Sequence, residues 1–254
     1  MGARITPLRL EHFEQLPKHA RRCVFWEVDP HTIDDQLADP EFEKEAWLSM
    51  VMLEWGSCGQ IAIPVSAGVQ DPESAAQDPD PAAEAPCIGY ALYAPPGAVP
   101  RAGCFPTAPV SPDAVLLTTM GVEPGHGENL PRQLIARAVA DLVRRGVRAL
   151  EAFGRTLEAE RELTGARNPP LDVRSVIESF GDCSFDDCMI GADFLSEVGF
   201  TVVAPHRYFP RLRLELDQGL GWKAEVEAAL ERLLQSARLQ SVGAGTGSVA
   251  ELSD

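Results

Sequence analysis

The stretch from residue 114 to residue 154 restricts the fold more than any other part of the chain. "AVLLTTMGV" reads as a strand, "EPGHGEN" as a glycine-bearing turn, "LPRQLIARAVADLVRRG" as a long helix and "VRALEAFG" as a returning strand. Leu130, Leu134, Ala138 and Leu142 form one helical stripe, widened by Ile135 and Val139. Arg137, Arg144 and Arg145 fall mainly off it, and Gly146 stops the helix. A strand–turn–helix–strand order calls for an α/β architecture. The turn also aims unpartnered backbone N–H groups, at the positive end of a helix dipole, toward whatever occupies it. Such a site suits an anion.

The flanking sequence extends this order. A strand over residues 4–8 leads into broken helix between Leu10 and Val28, interrupted at Pro17. "DPEFEKEAWLSMVMLEWG" has helical spacing, with Phe42, Ala46, Met50 and Leu53 expected on its apolar stripe and Gly56 at its end. Strands are expected at residues 60–65 and 88–93, ahead of the one at 114–122. After residue 154 come a short helix "ADFLSEVG", two strands "FTVVAP" and "PRLRLEL", and a C-terminal amphipathic helix over residues 217–240. That last helix carries Trp222, Val226, Ala229, Leu230 and Leu233, an apolar set suited to the body of the fold or to a second copy in a homodimer. Residues 66–86 read as an acidic disordered loop, residues 155–182 as an insertion outside the main fold, and residues 241–254 as a disordered tail.

Charge and cysteine usage narrow the function classes. A net charge of −16 argues against nucleic acid or an anionic membrane as the main partner. No apolar run approaches the roughly 20 residues that span a bilayer. "MGARIT" fits a lipidation pattern formally, but residues 4–10 read better as a strand entering a helix. With no secretory leader at the start of the sequence, a cytoplasmic location is expected. The six cysteines are scattered without a C-x-x-C pair, and the histidines at 12, 19, 31, 126 and 206 form no cluster along the chain. "CSFDDC", holding Cys183 and Cys188, is therefore expected to carry buried or incidental thiols, and no metal site is expected.

The turn itself excludes two phosphate-binding classes. It lacks the Gly-Lys-Ser/Thr ending that a nucleotide-hydrolase loop needs, and Gly125 and Gly127 do not complete a dinucleotide fingerprint. What remains resembles the GNAT acyltransferase superfamily, whose pyrophosphate turn runs Q/R-x-x-G-x-G/A between a strand and a helix. "HGENLP" sets His126, Asn129 and Pro131 on the first and the two glycine positions of that pattern. "FLSEVGFTVV" is similar to the family's "FYEKLGF" helix-to-strand step, and the order of elements from Arg4 to Leu216 agrees.

The resemblance implies a mixed, mostly antiparallel twisted sheet flanked by helices. It also implies acetyl-CoA or another acyl-CoA as co-substrate and transfer of the acyl group to a small-molecule or protein amine. Met120, Gly121 and Val122 would pair with the pantetheine arm. His126, Gly127, Glu128, Asn129, Leu130, Pro131 and Arg132 would surround the diphosphate. Asn129 can adopt left-handed geometry in a glycine's place, though less readily than glycine, whereas Pro131 offers no N–H. Glu123 and Glu151 are candidate general bases at the ends of the flanking strands. Leu195 stands where many relatives carry a tyrosine acid, so Tyr208, Cys188 or a water would have to supply the proton. Arg22, Trp26 and Glu27 combine cation, aromatic and acid, and they read either as an acceptor pocket or as a helix end with one buried tryptophan and a surface ion pair. An inactive acyl-CoA-binding or regulatory module is the alternative reading.

Overall fold

The computed structural model describes residues 3–29, 39–65, 86–126, 129–166, 168–180 and 183–216. The expected acidic loop, the C-terminal helix and the tail lie outside these residues, apart from Pro86.

One twisted sheet organises the chain. Its strands are β1 (Ala3–Pro7), β2 (Gly59–Pro64), β3 (Gly89–Ala94), β4 (Ala114–Val122), β5 (Ala149–Arg155), β6 (Ile190–Gly191), β7 (Thr201–Ala204) and β8 (Arg211–Glu215). The order is β1-β2-β3-β4-β5-β8-β7, with β6 also on β5. The pairs β4–β5 and β5–β6 are parallel and all the others antiparallel. Helices cover both faces: α1 (Lys18–Arg22), α2 (Pro40–Glu54), α3 (Leu130–Arg144), α4 (Leu157–Leu163), α5 (Arg174–Ser179), α6 (Phe185–Cys188) and α7 (Ala192–Glu197). This is the mixed, mostly antiparallel α/β architecture expected from the sequence.

Covering both faces explains why the central strands lack an apolar/polar alternation: β3 is buried along its whole length. Successive side chains still separate by face. Ala62, Ala91, Tyr93, Val115 and Leu117 meet Leu134, Ala138 and Leu142 of α3. Ile61, Ile63, Leu92, Leu116 and Phe153 meet the opposite layer, which holds Trp26, Trp47, Leu48 and Phe105. The α3 stripe is buried as the spacing predicts, with Leu134, Ala138 and Leu142 fully enclosed.

Two expectations need correction. In α2, Phe42, Met50 and Leu53 are exposed, Leu53 to 88%, and the buried side chains are Lys44, Trp47, Leu48 and Val51. Lys44 defeats the apolar pattern because its ammonium is bonded to the buried Glu27 carboxylate and, at 3.0 Å, to the carbonyl of Cys23. The segment after β5 is also not an appendage. Ala159, Leu163, Val173, Val176 and Phe180 are buried and join the core that holds Trp26.

Candidate functional site

β4 and β5 run side by side for only three residue pairs, from Ala114↔Ala149 to Leu116↔Glu151. Beyond Leu116, β4 continues to Val122 with, among the described residues, a ladder on its β3 side alone. On β5 the corresponding edge is taken up at Gly154 and Arg155 by β6. The two strands therefore part like a V. At the outer end of β4 lies a cleft of about 310 Å³, lined by Met120, Gly121, Val122 and Glu123, by Tyr90, by Pro17 and His19, and by Asp186 and Asp187 of α6. Three of the residues expected to hold an acyl donor's arm thus lie together on its wall.

The turn between β4 and α3 carries the remaining residues expected at a donor site. Gly125 takes the left-handed conformation, at φ +86°, which a residue with a side chain adopts reluctantly. Asn129 does not: at φ −88° and ψ −10° it is right-handed and holds the N-cap position without a side-chain cap bond. The first intrahelical bond of α3 runs from the Gln133 N–H to the Asn129 carbonyl, at 3.0 Å. The amides of Leu130 and Arg132 precede it, and Pro131 has none. The Arg132 side chain turns away to pair with the Glu197 carboxylate, at 2.7 Å. The His126 N–H donates to the Glu123 carbonyl at 3.3 Å, and the Glu123 N–H donates to Ile88 at 2.9 Å. Gly127 and Glu128 lie outside the described residues.

Gly121 has a packing reason to lack a side chain. A Cβ there would fall 2.7 Å from the ring of Tyr90, its cross-strand partner. Tyr90 thereby lies across β4 and faces the cleft, and burial holds its phenol above the ordinary value, which makes it a weaker acid than an exposed tyrosine. The sequence reading passed over this residue. The signal available was an aromatic in the strand that pairs with β4, opposite a glycine.

The other candidates separate. Glu123 is exposed on the cleft wall. Glu151 is fully buried and engaged on all sides: the Ser111 N–H donates to it at 3.1 Å, Arg213 pairs at 3.1 Å, and Arg211 pairs with its second oxygen. Burial disfavours its charge, but hydrogen bonds from Ser111, Arg211 and Arg213 outweigh that and hold its carboxyl below the ordinary value. A carboxylate so placed is a structural anchor, not an available base. The Tyr208 hydroxyl donates to Glu162 at 2.8 Å, which raises its pKa, and it does not line the cleft.

The acceptor trio is likewise dispersed. Trp26 is 1% exposed, its ring stacked on Phe105 and Phe153 with centroids 5.2 and 6.1 Å away. Glu27 is buried against Lys44, and burial pushes its carboxyl up although Lys44 opposes the shift. Only Arg22 is exposed. Trp26 is thus a core ring enclosed by the chain's own aromatics, and the ion pair that Glu27 makes is a buried one with Lys44, not the surface pair expected beside a buried tryptophan. A larger cavity of about 470 Å³ lies among Glu160, Leu163, Ile177, Phe180, Cys183 and Phe185, all from the segment that follows β5.

No family model matches the chain, and no curated protein sequence matches it. Solved structures do. The PaiA N-acetyltransferase of Thermoplasma acidophilum in complex with coenzyme A aligns over 85% of this chain and 99% of its own, at 11% identity and a TM-score of 0.43. An N-acetyltransferase from Staphylococcus aureus aligns over the same shares, at 11% identity and a TM-score of 0.42. The GNAT family N-acetyltransferase YhbS from Escherichia coli, in complex with coenzyme A, aligns over 85% of this chain and 83% of its own, at 12% identity and a TM-score of 0.41. The likeness is one of fold.

Proposed function

We propose that this chain is a GNAT-fold N-acyltransferase that takes its acyl group, in the simplest case acetyl, from acyl-CoA and passes it to an amine. The observation that carries the reading is the parting of β4 from β5 beside the start of α3. A strand edge without a ladder accepts an extended amide-bearing chain. A helix start a few residues further along accepts a diphosphate.

In this reading the edge at Met120, Gly121 and Val122 bonds the pantetheine amides, and the amides of Leu130 and Arg132 meet the diphosphate. Acyl transfer needs a base for the amine, a donor for the tetrahedral oxyanion and a proton for the leaving thiolate. Glu123, exposed on the cleft wall, is assigned the base, acting directly or through a water. A backbone N–H of β4 serves the oxyanion. The Tyr90 phenol, on the cleft wall opposite Gly121, gives the proton to the thiolate as the carbon–sulfur bond breaks. Two observations favour the rival reading, a binding module without turnover: Pro131 lacks an N–H, and Arg132 is committed to Glu197.

Calorimetry with acetyl-CoA, followed by thiol release in the presence of an amine panel, tests both. The enzyme reading expects saturable binding in the micromolar range together with coenzyme A release. Binding without release supports the module, and no binding overturns both. Pro131→Gly adds a donor to the helix start and should tighten binding by about tenfold, since a hydrogen bond to a charged group contributes about 1.5–3 kcal/mol.

A further inference from the structure

The fold brings together groups that the sequence keeps apart. His19 and Cys23 stand one helical turn apart at the end of α1, where the Cys23 N–H bonds the His19 carbonyl at 2.8 Å. Cys188 ends α6, some 165 residues later, and is fully buried. One ligand atom from each of these three residues lies within 4.8 Å of the others. The Cys23 and Cys188 sulfurs are 3.4 Å apart, and Cys188 Sγ is 3.8 Å from His19 Nε2. A third thiol, Cys183, places its sulfur 3.6 Å from that of Cys23.

We propose that His19, Cys23, Cys183 and Cys188 form a structural zinc site that fastens the segment following β5 to the N-terminal helix beside the cleft. Three features carry this. First, the separations among His19, Cys23 and Cys188 suit the ion: Zn–S bonds of about 2.3 Å and a Zn–N bond of about 2.0 Å set tetrahedral edges of roughly 3.5–3.8 Å, close to those present without metal, whereas Cys183, 3.6 Å from Cys23, stands outside that tight trio and moves in to complete the set. Second, three sulfurs and one imidazole form a donor set that selects zinc over harder divalent ions. Third, the backbones of two ligands are already fixed from outside the cluster. The Trp26 indole N–H donates to the Cys188 carbonyl at 2.9 Å, and Lys44 donates to the Cys23 carbonyl at 3.0 Å. Outer bonds of this kind orient ligands and raise metal affinity. On binding, each thiol releases its proton to solvent as its sulfur bonds the metal, and His19 binds as the neutral imidazole. With four protein ligands the site is closed, which marks it as structural and not catalytic. It is independent of the acyl-donor reading, although His19 also lines the cleft.

The test uses the full-length chain, produced with added zinc under reducing conditions and analysed by mass spectrometry for metals. About one zinc per chain is expected. Cobalt(II) exchanged into the site should give tetrahedral d–d bands and sulfur-to-cobalt charge transfer. Cys23→Ser, Cys188→Ser and His19→Gln should each lower zinc content at least several-fold, while Cys104→Ser, outside the cluster, should leave it unchanged. Circular dichroism checks that each variant folds, and the cobalt spectrum of the unaltered chain needs no variant. Trace metal with no cobalt spectrum overturns the proposal, as does a Cys23–Cys188 disulfide in the reduced preparation. Unchanged charge transfer in Cys183→Ser overturns its assignment as fourth ligand.

Discussion

Glu151 sits on β5 with two arginines and a backbone amide holding its carboxylate, so its contribution to stability is tied to its charge. Its folded pKa lies below the ordinary value. Its contribution should therefore be fully present above the unfolded carboxylate pKa of about 4.3, and lost as pH falls through the lower folded value. Glu151→Gln leaves Arg211 without its carboxylate partner, while Arg213 keeps Asp113 and Glu215, and should cost about 3 kcal/mol near neutral pH. Thermal unfolding followed from neutral pH into acid should show a smaller loss for the variant than for the native chain. Tyr90 makes the opposite kind of case, a neutral group whose proton is the point. Tyr90→Phe keeps the ring that Gly121 accommodates and removes the hydroxyl. It should lower kcat by about 10²-fold or more while leaving acetyl-CoA affinity nearly unchanged, as single-turnover and calorimetric measurements would show.

At the scale of elements, α2 and α3 show how far sequence periodicity reaches. In α3 the apolar stripe and the buried face coincide, because the helix lies on a sheet face lined with apolar side chains. In α2 they do not, because the buried face includes a lysine whose partner, Glu27, lies on a different segment. Periodicity counts apolar residues and cannot see a salt bridge formed across the fold. Phe42→Glu and Leu53→Lys should therefore change stability by no more than about 0.5 kcal/mol in chemical denaturation, where a stripe reading would have expected core-sized losses. The same limit hid the cluster of His19, Cys23 and Cys188: their spacing along the chain carries no metal pattern, and only the packing of α6 against α1 creates one. The strand–turn–helix at residues 114–146 was legible because strand, turn and helix are each set by adjacent residues. The acceptor trio misled because aromatic, cation and acid in one short segment say nothing of which of them the core will enclose.

For the whole molecule, a donor that binds the folded cleft and not the unfolded chain must raise the unfolding temperature. At a hundredfold excess over its dissociation constant, acetyl-CoA should add about 2.7 kcal/mol to stability, an effect that scanning fluorimetry can titrate. Flat melting temperatures across that titration would count against the cleft as a coenzyme site. The sheet also fixes a length. From Leu117, where β4 loses its parallel neighbour, to Val122 at the mouth, the strand measures roughly 17 Å at about 3.3 Å per residue. The fork is closed at its inner end by the last β4–β5 pair, and β6 lies against the far arm. The molecule thus carries a ruler with a fixed stop. A linear guest laid along β4 either ends within that span or bends out toward α6, and this would grade donors by their reach before any side chain read their chemistry.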